Sequence, residues 1–249
     1  MARSSPTGGE RVPIPTYCMV IGATEFSVIN TGSWNGISLS YYLYPKDREN
    51  GIKDYGRALQ MIEFYTNLIG PYPYEKLALV QSSTRFGGME NSSSIFFDEE
   101  SFNGSGRLED TVAHEIAHQW FGDSVTQADW HHLWLSEGFA TYFGNLFFER
   151  ADGQDKFVSR MLADKERYLK ANSSSPRPIY DSTVTDLLKL LNPNNYEKGG
   201  WVLHMLRHIM GDKQFFAGIR DYYRTYRDGN ALTGDFQKVM EFHAGRPLD

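Results

Sequence analysis

Polar and apolar positions divide the chain into two unlike stretches. In residues 37–44, Ile37, Leu39, Tyr41 and Leu43 alternate loosely with their neighbours, and the run ends at Pro45. That is the period of a strand with one covered face. Residues 17–29 read as extended β structure. Residues 76–82 and 93–97 are short apolar runs of strand length on either side of a glycine-containing loop at 85–91. Between the strand-like segments, residues 52–69 carry helical spacing and stop at Gly70-Pro71. From residue 108 onward the period is mostly helical. Helices are predicted over 108–121, 136–151, 154–171, 184–191, 195–210, 212–226 and 233–244, with breaks at 173–178, 192–195 and 228–229. A β-containing first part and a helical second part predict an α+β fold, a small mixed sheet followed by a mainly α-helical lobe.

Composition narrows the class of partner. The chain has 249 residues, 41% of them hydrophobic and 22% charged, with a formal net charge of −6. An acidic balance argues against nucleic acid or an anionic membrane as the main partner, since both reward a basic surface. Cys18 is the single cysteine, so no intrachain disulfide can form. Within its apolar run it reads as a small buried hydrophobe. No run of 18 apolar residues encodes a membrane span, and the first ten residues lack an apolar signal core. The compartment stays open between cytoplasmic and secreted. Both ends read as cut, because the chain begins in irregular polar sequence and stops at Arg246-Pro247-Leu248-Asp249. A piece of a longer protein is therefore expected.

The segment with most chemistry is His114-Glu115-Ile116-Ala117-His118. Two histidines at i and i+4 on a helix lie on one face, one turn apart. That separation lets both imidazoles reach one Zn²⁺ at ~2.0–2.1 Å. Glu115 lies about 100° around the helix, and its reach suits a water on the metal rather than the metal. Val112, Ala113, Ile116, Ala117, Trp120 and Phe121 form a broad apolar arc. Thr111, His114, Glu115 and His118 form the remaining polar one. The first arc can pack on the core while the second faces a cleft.

A catalytic zinc needs a third protein ligand and an open fourth position. Glu137, nineteen positions after His118, is the candidate. Ser136 is expected to N-cap a second helix with Glu137 in its first turn, and Gly138 and Ala140 would let that helix pack closely on the first. Taken singly, Glu137 could also be a solvated acid favoured by a helix start, but its aromatic-rich, low-charge surroundings suit a ligand better. His204 and His208 repeat the i, i+4 spacing without an interposed acid or a downstream ligand. His131 and His132 are adjacent, so at most one can face a cleft. His243 has no evident partner.

Three motifs in order carry a resemblance to the aminopeptidase N family of gluzincin zinc metallopeptidases. They are Gly87-Gly88-Met89-Glu90-Asn91, then His114-Glu115-Ile116-Ala117-His118-Gln119-Trp120-Phe121-Gly122 with Glu137, then Tyr196-Glu197-Lys198-Gly199. The resemblance runs from about Pro13 to Gly245. It implies a thermolysin-like catalytic domain with one Zn²⁺ per chain, held by His114, His118 and Glu137. The implied activity is removal of the N-terminal residue from peptides with a free N-terminus, with Glu115 as general base. Glu90 would bind the substrate's α-ammonium, within a substrate-binding loop of Gly87, Gly88, Met89, Glu90 and Asn91. Tyr196 would stabilise the oxyanion. Read alone, the loop is a turn between strands, and Tyr196 is an aromatic at a helix start.

The family normally adds a β-rich domain before this unit and a helical domain after it. Residues 1–36 are thus expected to be the tail of a preceding β domain and 37–249 the catalytic domain, with the C-terminal helical domain absent. Contacts with those further domains are implied, and the unit alone is expected to be a poor enzyme because part of its cleft wall is missing. Two departures stand out. Gly88 replaces the alanine of many relatives, as in the branch with the leukotriene hydrolase and aminopeptidase B. Thr141 stands four residues after Glu137, where thermolysin-type sites have an acid. A leukotriene-type epoxide hydrolase and a non-catalytic domain remain alternatives on the same scaffold.

Overall fold

Alternation in the first part becomes a five-stranded mixed sheet. The computed structural model describes residues 11–173 and 176–248. β1 (Ser27–Trp34) and β2 (Ile37–Leu43) form an antiparallel hairpin. Its turn, Asn35-Gly36, has φ of 51° and 86°, the positive values that two-residue hairpin turns require. The domain boundary expected at residue 36 therefore runs through the turn of one hairpin. The extended segment expected at 17–29 begins instead with a 3-10 turn at Thr16–Cys18 and becomes a strand only from Ser27. Leu39, Tyr41 and Leu43 are buried, as their alternation implies.

The helix expected over 52–69 is two, α1 (Arg48–Asp54) and α2 (Ala58–Leu68). The chain breaks at Gly56, with φ of 43°. Helical spacing survives the break because Tyr55, Ala58, Met61 and Ile62 all bury against one core. β3 (Lys76–Ser82), β4 (Gly88–Met89) and β5 (Ser94–Asp98) complete the sheet in the order β1-β2-β3-β5-β4. β3 runs parallel to both its neighbours. Its five middle residues are buried, as suits a central strand covered on both faces. β4 is an antiparallel edge strand on β5.

Asp54, fully buried, accepts the backbone N–H of Gly104 at 2.7 Å and of Gly106 at 2.8 Å. The loop entering α3 (Glu109–His118) is thus anchored to the end of α1. Val112, Ala113, Ile116, Ala117, Trp120 and Phe121 have no solvent exposure. Each large side chain buried in this way contributes about 1.5–3 kcal/mol. Two polar ties fix the rotation of this segment. Tyr65 Oη donates to the Ala113 carbonyl at 2.8 Å, and Trp120 Nε1 donates to that of Gly70 at 2.9 Å.

α4 (Trp134–Asp152) starts two residues earlier than its spacing predicts. A 3-10 turn over Trp130–His132, capped by Asp129, leads into it, so Ser136 lies inside the first turn and caps nothing. α5 (Gln154–Asn172), α6 (Glu197–Met210), α7 (Asp212–Tyr226) and α8 (Thr233–Ala244) follow. The helix expected at 184–191 is only a 3-10 turn at Leu187–Leu190. Val184 and Leu190 bury against Leu133, while Leu187, Leu188 and Leu191 are exposed on the rim of a cleft, so the buried face is too small to sustain more than a single turn. β6 (Val125–Gln127) and β7 (Gly229–Ala231) form a two-stranded parallel sheet. Three-residue strands are too short to show a period. No helix among the described residues is long and apolar enough to cross a membrane.

Close approach of α4 to its neighbours falls differently from the expectation. Gly138 faces Gly199 of α6, where an added Cβ would lie 2.7 Å from the Gly199 Cα. It is Gly144 that faces α3, where an added Cβ would lie in ordinary contact 3.6 Å from the His114 backbone nitrogen. Replacing Gly138 by Val should force α4 and α6 apart. We expect a loss of at least about 1–3 kcal/mol in denaturant unfolding; an unchanged midpoint would mean that the contact is not tight.

Candidate functional site

Packing of α3 on α4 brings three donor atoms together. His114 Nε2 and His118 Nε2 are 3.0 Å apart, and each lies 3.2 Å from Glu137 Oε2. A tetrahedral ion with ligands at ~2.0–2.1 Å separates its ligand atoms by roughly 3.3 Å. Two imidazole nitrogens and a carboxylate at this spacing therefore suit zinc in both chemistry and size. Among the described residues this is the one such cluster of three or more metal-binding side chains. His118 Nδ1 lies 3.0 Å from the Phe121 carbonyl. A carbonyl only accepts, so Nδ1 carries the proton and Nε2 keeps its lone pair for a metal. Ser136 Oγ sits 3.1 Å from the same Nδ1. The serine expected as a helix cap instead helps hold His118.

Buried charge dominates this region. Glu90, Glu115, Asp123 and Glu137 are all under one-tenth exposed. Burial pushes Glu115 and Asp123 well above the usual carboxylate range, with Glu90 adding to the rise in both. Burial also opposes the charge on Glu137, but His118 and His114 outweigh it and hold that carboxyl low. Burial alone would favour neutral His118, yet Glu137 and Glu90 draw its pKa up. Such an excess of carboxylates is balanced naturally by a divalent cation.

A cleft of about 740 Å³ opens over the three donors, within the range of small-molecule and peptide sites. Gly87, Gly88, Met89, Glu90, Glu115 and Tyr196 are all in its lining, and the Glu115 carboxylate occupies the space that a Cβ would take at Gly88. Asn91 is not part of the lining. Its Nδ2 donates to the Cys18 carbonyl at 3.3 Å, so this member of the expected substrate loop holds the loop rather than facing the cleft. Tyr196, at the start of α6, stacks on the His114 ring at 5.9 Å and 6°. Burial, with Glu137 nearby, pushes its phenol well above the ordinary value. The Gly138–Gly199 contact is what brings the start of α6 this close to α4. Farther along, Arg160 pairs with Asp110, and Arg167 with Asp164 and Glu197.

The sequence profile described as the peptidase family M1 domain matches residues 54–249. The chain belongs to peptidase family M1. Aminopeptidase M1-C of Oryza sativa subsp. japonica is 30% identical over 247 residues, which cover 94% of this chain and 28% of that protein. The M1 zinc metallopeptidase of Deinococcus radiodurans matches in structure with a TM-score of 0.76 at 25% identity, covering 94% of this chain and 52% of that one. Yeast LTA4 hydrolase in complex with bestatin gives a TM-score of 0.85 at 23% identity over 93% of this chain and 38% of that one, a likeness of fold. The chain spans roughly a quarter to a third of the length of the curated relatives it matches.

Several residues of this M1 site escape sequence reasoning. Tyr17 lines the cleft and donates to the Gly122 carbonyl at 3.3 Å. Gly122, at φ 123°, leaves room where a Cβ would meet Ser136 Oγ and come within 2.9 Å of His118 Nδ1. Gln119 and Asp123 are buried beside Glu90. Only their place in an unusually polar buried run, Gln119 to Ser124, hints at them. Other histidines have plainer surroundings. His204 Nδ1 lies 3.2 Å from Tyr142 Oη, and His243, without an evident partner in sequence, donates to Asp221 at 2.9 Å. Cys18 is buried as expected, its thiol donating to Asp123 at 3.2 Å.

Gly122→Ala combines a left-handed backbone with a clash against His118 and Ser136. It should lower zinc affinity about tenfold or more, the scale of lost support around a metal ligand. Competition with a chromophoric chelator measures this; unchanged affinity would show that Ser136 and Gly122 do not hold His118.

Proposed function

We propose that this protein is a zinc-dependent aminopeptidase that hydrolyses the first peptide bond of substrates with a free N-terminus. The observation that carries the reading is the meeting of His114, His118 and Glu137 donors within 3.2 Å, with Glu90 on the same cleft. Family membership and relatives named as aminopeptidases add to it. Residues 37–249 with the β1 strand would form the catalytic unit, and contacts with further domains belong to this proposal.

His114, His118 and Glu137 would hold one Zn²⁺. When bound, the ion would supply Lewis acidity to activate water and polarise the scissile carbonyl. Glu115 lies next to His114 on the cleft side of α3 and takes the proton of the attacking water on its carboxylate. It then passes that proton to the leaving amine nitrogen. Tyr196 donates its phenolic hydrogen to the carbonyl oxygen as negative charge grows there. Glu90 accepts charge-assisted hydrogen bonds from the substrate's ammonium. An acid fixed at that end of the cleft leaves only the first peptide bond over the metal ligands. Gly87, with open space around it, lets the substrate backbone approach the start of β4, and the missing side chain of Gly88 makes room for the Glu115 carboxylate.

Glu115→Gln should retain one zinc per chain while turnover of an aminoacyl chromogenic substrate falls by about 10²–10⁴-fold. Metal analysis beside steady-state kinetics tests both halves, and retained turnover would refute the general-base role. Acetylating the substrate's α-amine should abolish cleavage, and Glu90→Ala should raise KM for the free amine with zinc content unchanged. Cleavage of the acetylated peptide at the wild-type rate would make the enzyme an endopeptidase.

A further inference from the structure

Gln119 follows the ligand His118 directly, at the end of α3. It is fully buried, yet every polar atom of its side chain is used. Nε2 donates to the Glu90 carbonyl at 3.1 Å and to Asp123 Oδ2 at 2.9 Å. Oε1 accepts the Ser93 N–H at 2.8 Å and the Tyr72 hydroxyl at 3.3 Å. One side chain therefore grips both ends of the turn that begins at Glu90.

That turn needs holding. Ser93 has φ of 61°, a left-handed conformation that costs a non-glycine residue of order 1–3 kcal/mol. The Ser94 N–H closes the turn on the Asn91 carbonyl at 3.0 Å. Asn91 is tied to Cys18, and Tyr74 donates to Ser92 Oγ at 3.3 Å. Among these ties, Gln119 is the one that comes from the helix carrying the metal ligands.

We propose that Gln119 is the positioning residue that sets the distance between the Glu90 carboxylate and the metal ligands. The inference rests on the reading of Glu90 as the binder of the substrate's ammonium. Buried, doubly anchored amides of this kind hold geometry because each broken bond leaves an unsatisfied polar group. Gln119 touches neither the cleft nor the donor cluster, since it lines neither. Its effect passes through Glu90.

The test compares Gln119→Met, which keeps the volume and removes the polar grip, with Glu90→Ala and with the double variant. Each is assayed as zinc-loaded protein on an aminoacyl p-nitroanilide. Expected for Gln119→Met are a KM raised about tenfold, the effect of about 1.4 kcal/mol, a kcat less affected than KM, and one zinc per chain. In the double variant the Gln119 change should add nothing to the Glu90→Ala defect, as coupled positions behave. Gln119→Glu keeps the acceptor half and removes the donor half; it too should raise KM, and it serves if the Met variant fails to fold. An unchanged KM overturns the proposal. So does a penalty that appears in full on top of Glu90→Ala, or a loss of zinc that parallels the KM change in both variants. Wild-type protein that cleaves N-acetylated substrate equally well would sink the Glu90 reading instead, whatever the Gln119 variants do.

Discussion

Everything in the cleft depends on α3 and α4 lying close enough for side chains of both to share one cation. Gly144 faces the His114 backbone across that packing, with room for a methyl group at 3.6 Å and little more. A side chain well beyond a methyl at residue 144 would press α4 off α3 and lift Glu137 away from the two imidazoles. The same closeness concentrates carboxylates in a buried space, and Glu90, Glu115, Asp123 and Glu137 repel one another there. A divalent cation held there would offset charge that the fold has already gathered, and its binding would then couple to folding.

Legibility in the sequence followed the range of the interaction. His114, Glu115 and His118 could be read because helix geometry alone relates positions one and four apart. The apolar arc of α3 was legible for the same reason. Glu137 could be named as a ligand candidate from its surroundings, but its meeting with the histidines is a fact of packing. Glu90 and Tyr196 acquired roles only through the family resemblance, since neither spacing nor period marks them.

What could not be read rests on contacts distant in sequence. Ser136 is a good helix-capping residue type, and only the preceding 3-10 turn shows why it caps nothing and bonds His118 instead. Gly138 was expected against α3, but one glycine does not say which neighbour needs the space; its partner Gly199 lies on α6. The leucines at 187–191 carry a helical period, but only Leu190 finds a buried place, against Leu133 and Val184. Gln119 reads as an ordinary polar residue after His118, because its partners at Glu90 and Ser93 come from a separate loop.

The Gly138–Gly199 contact has a further consequence for motion. With backbone against backbone, no side chain at this crossing can change rotamer, and farther along Tyr142 reaches His204 and Glu149 pairs with Arg207; close-packed interiors deform little. The carboxylate on one helix and the phenol at the start of the other must then travel as a single block. The glycine-lined bank has less freedom than its single strand neighbour suggests, because β4 also rests through Gly88 on the Glu115 carboxylate of α3.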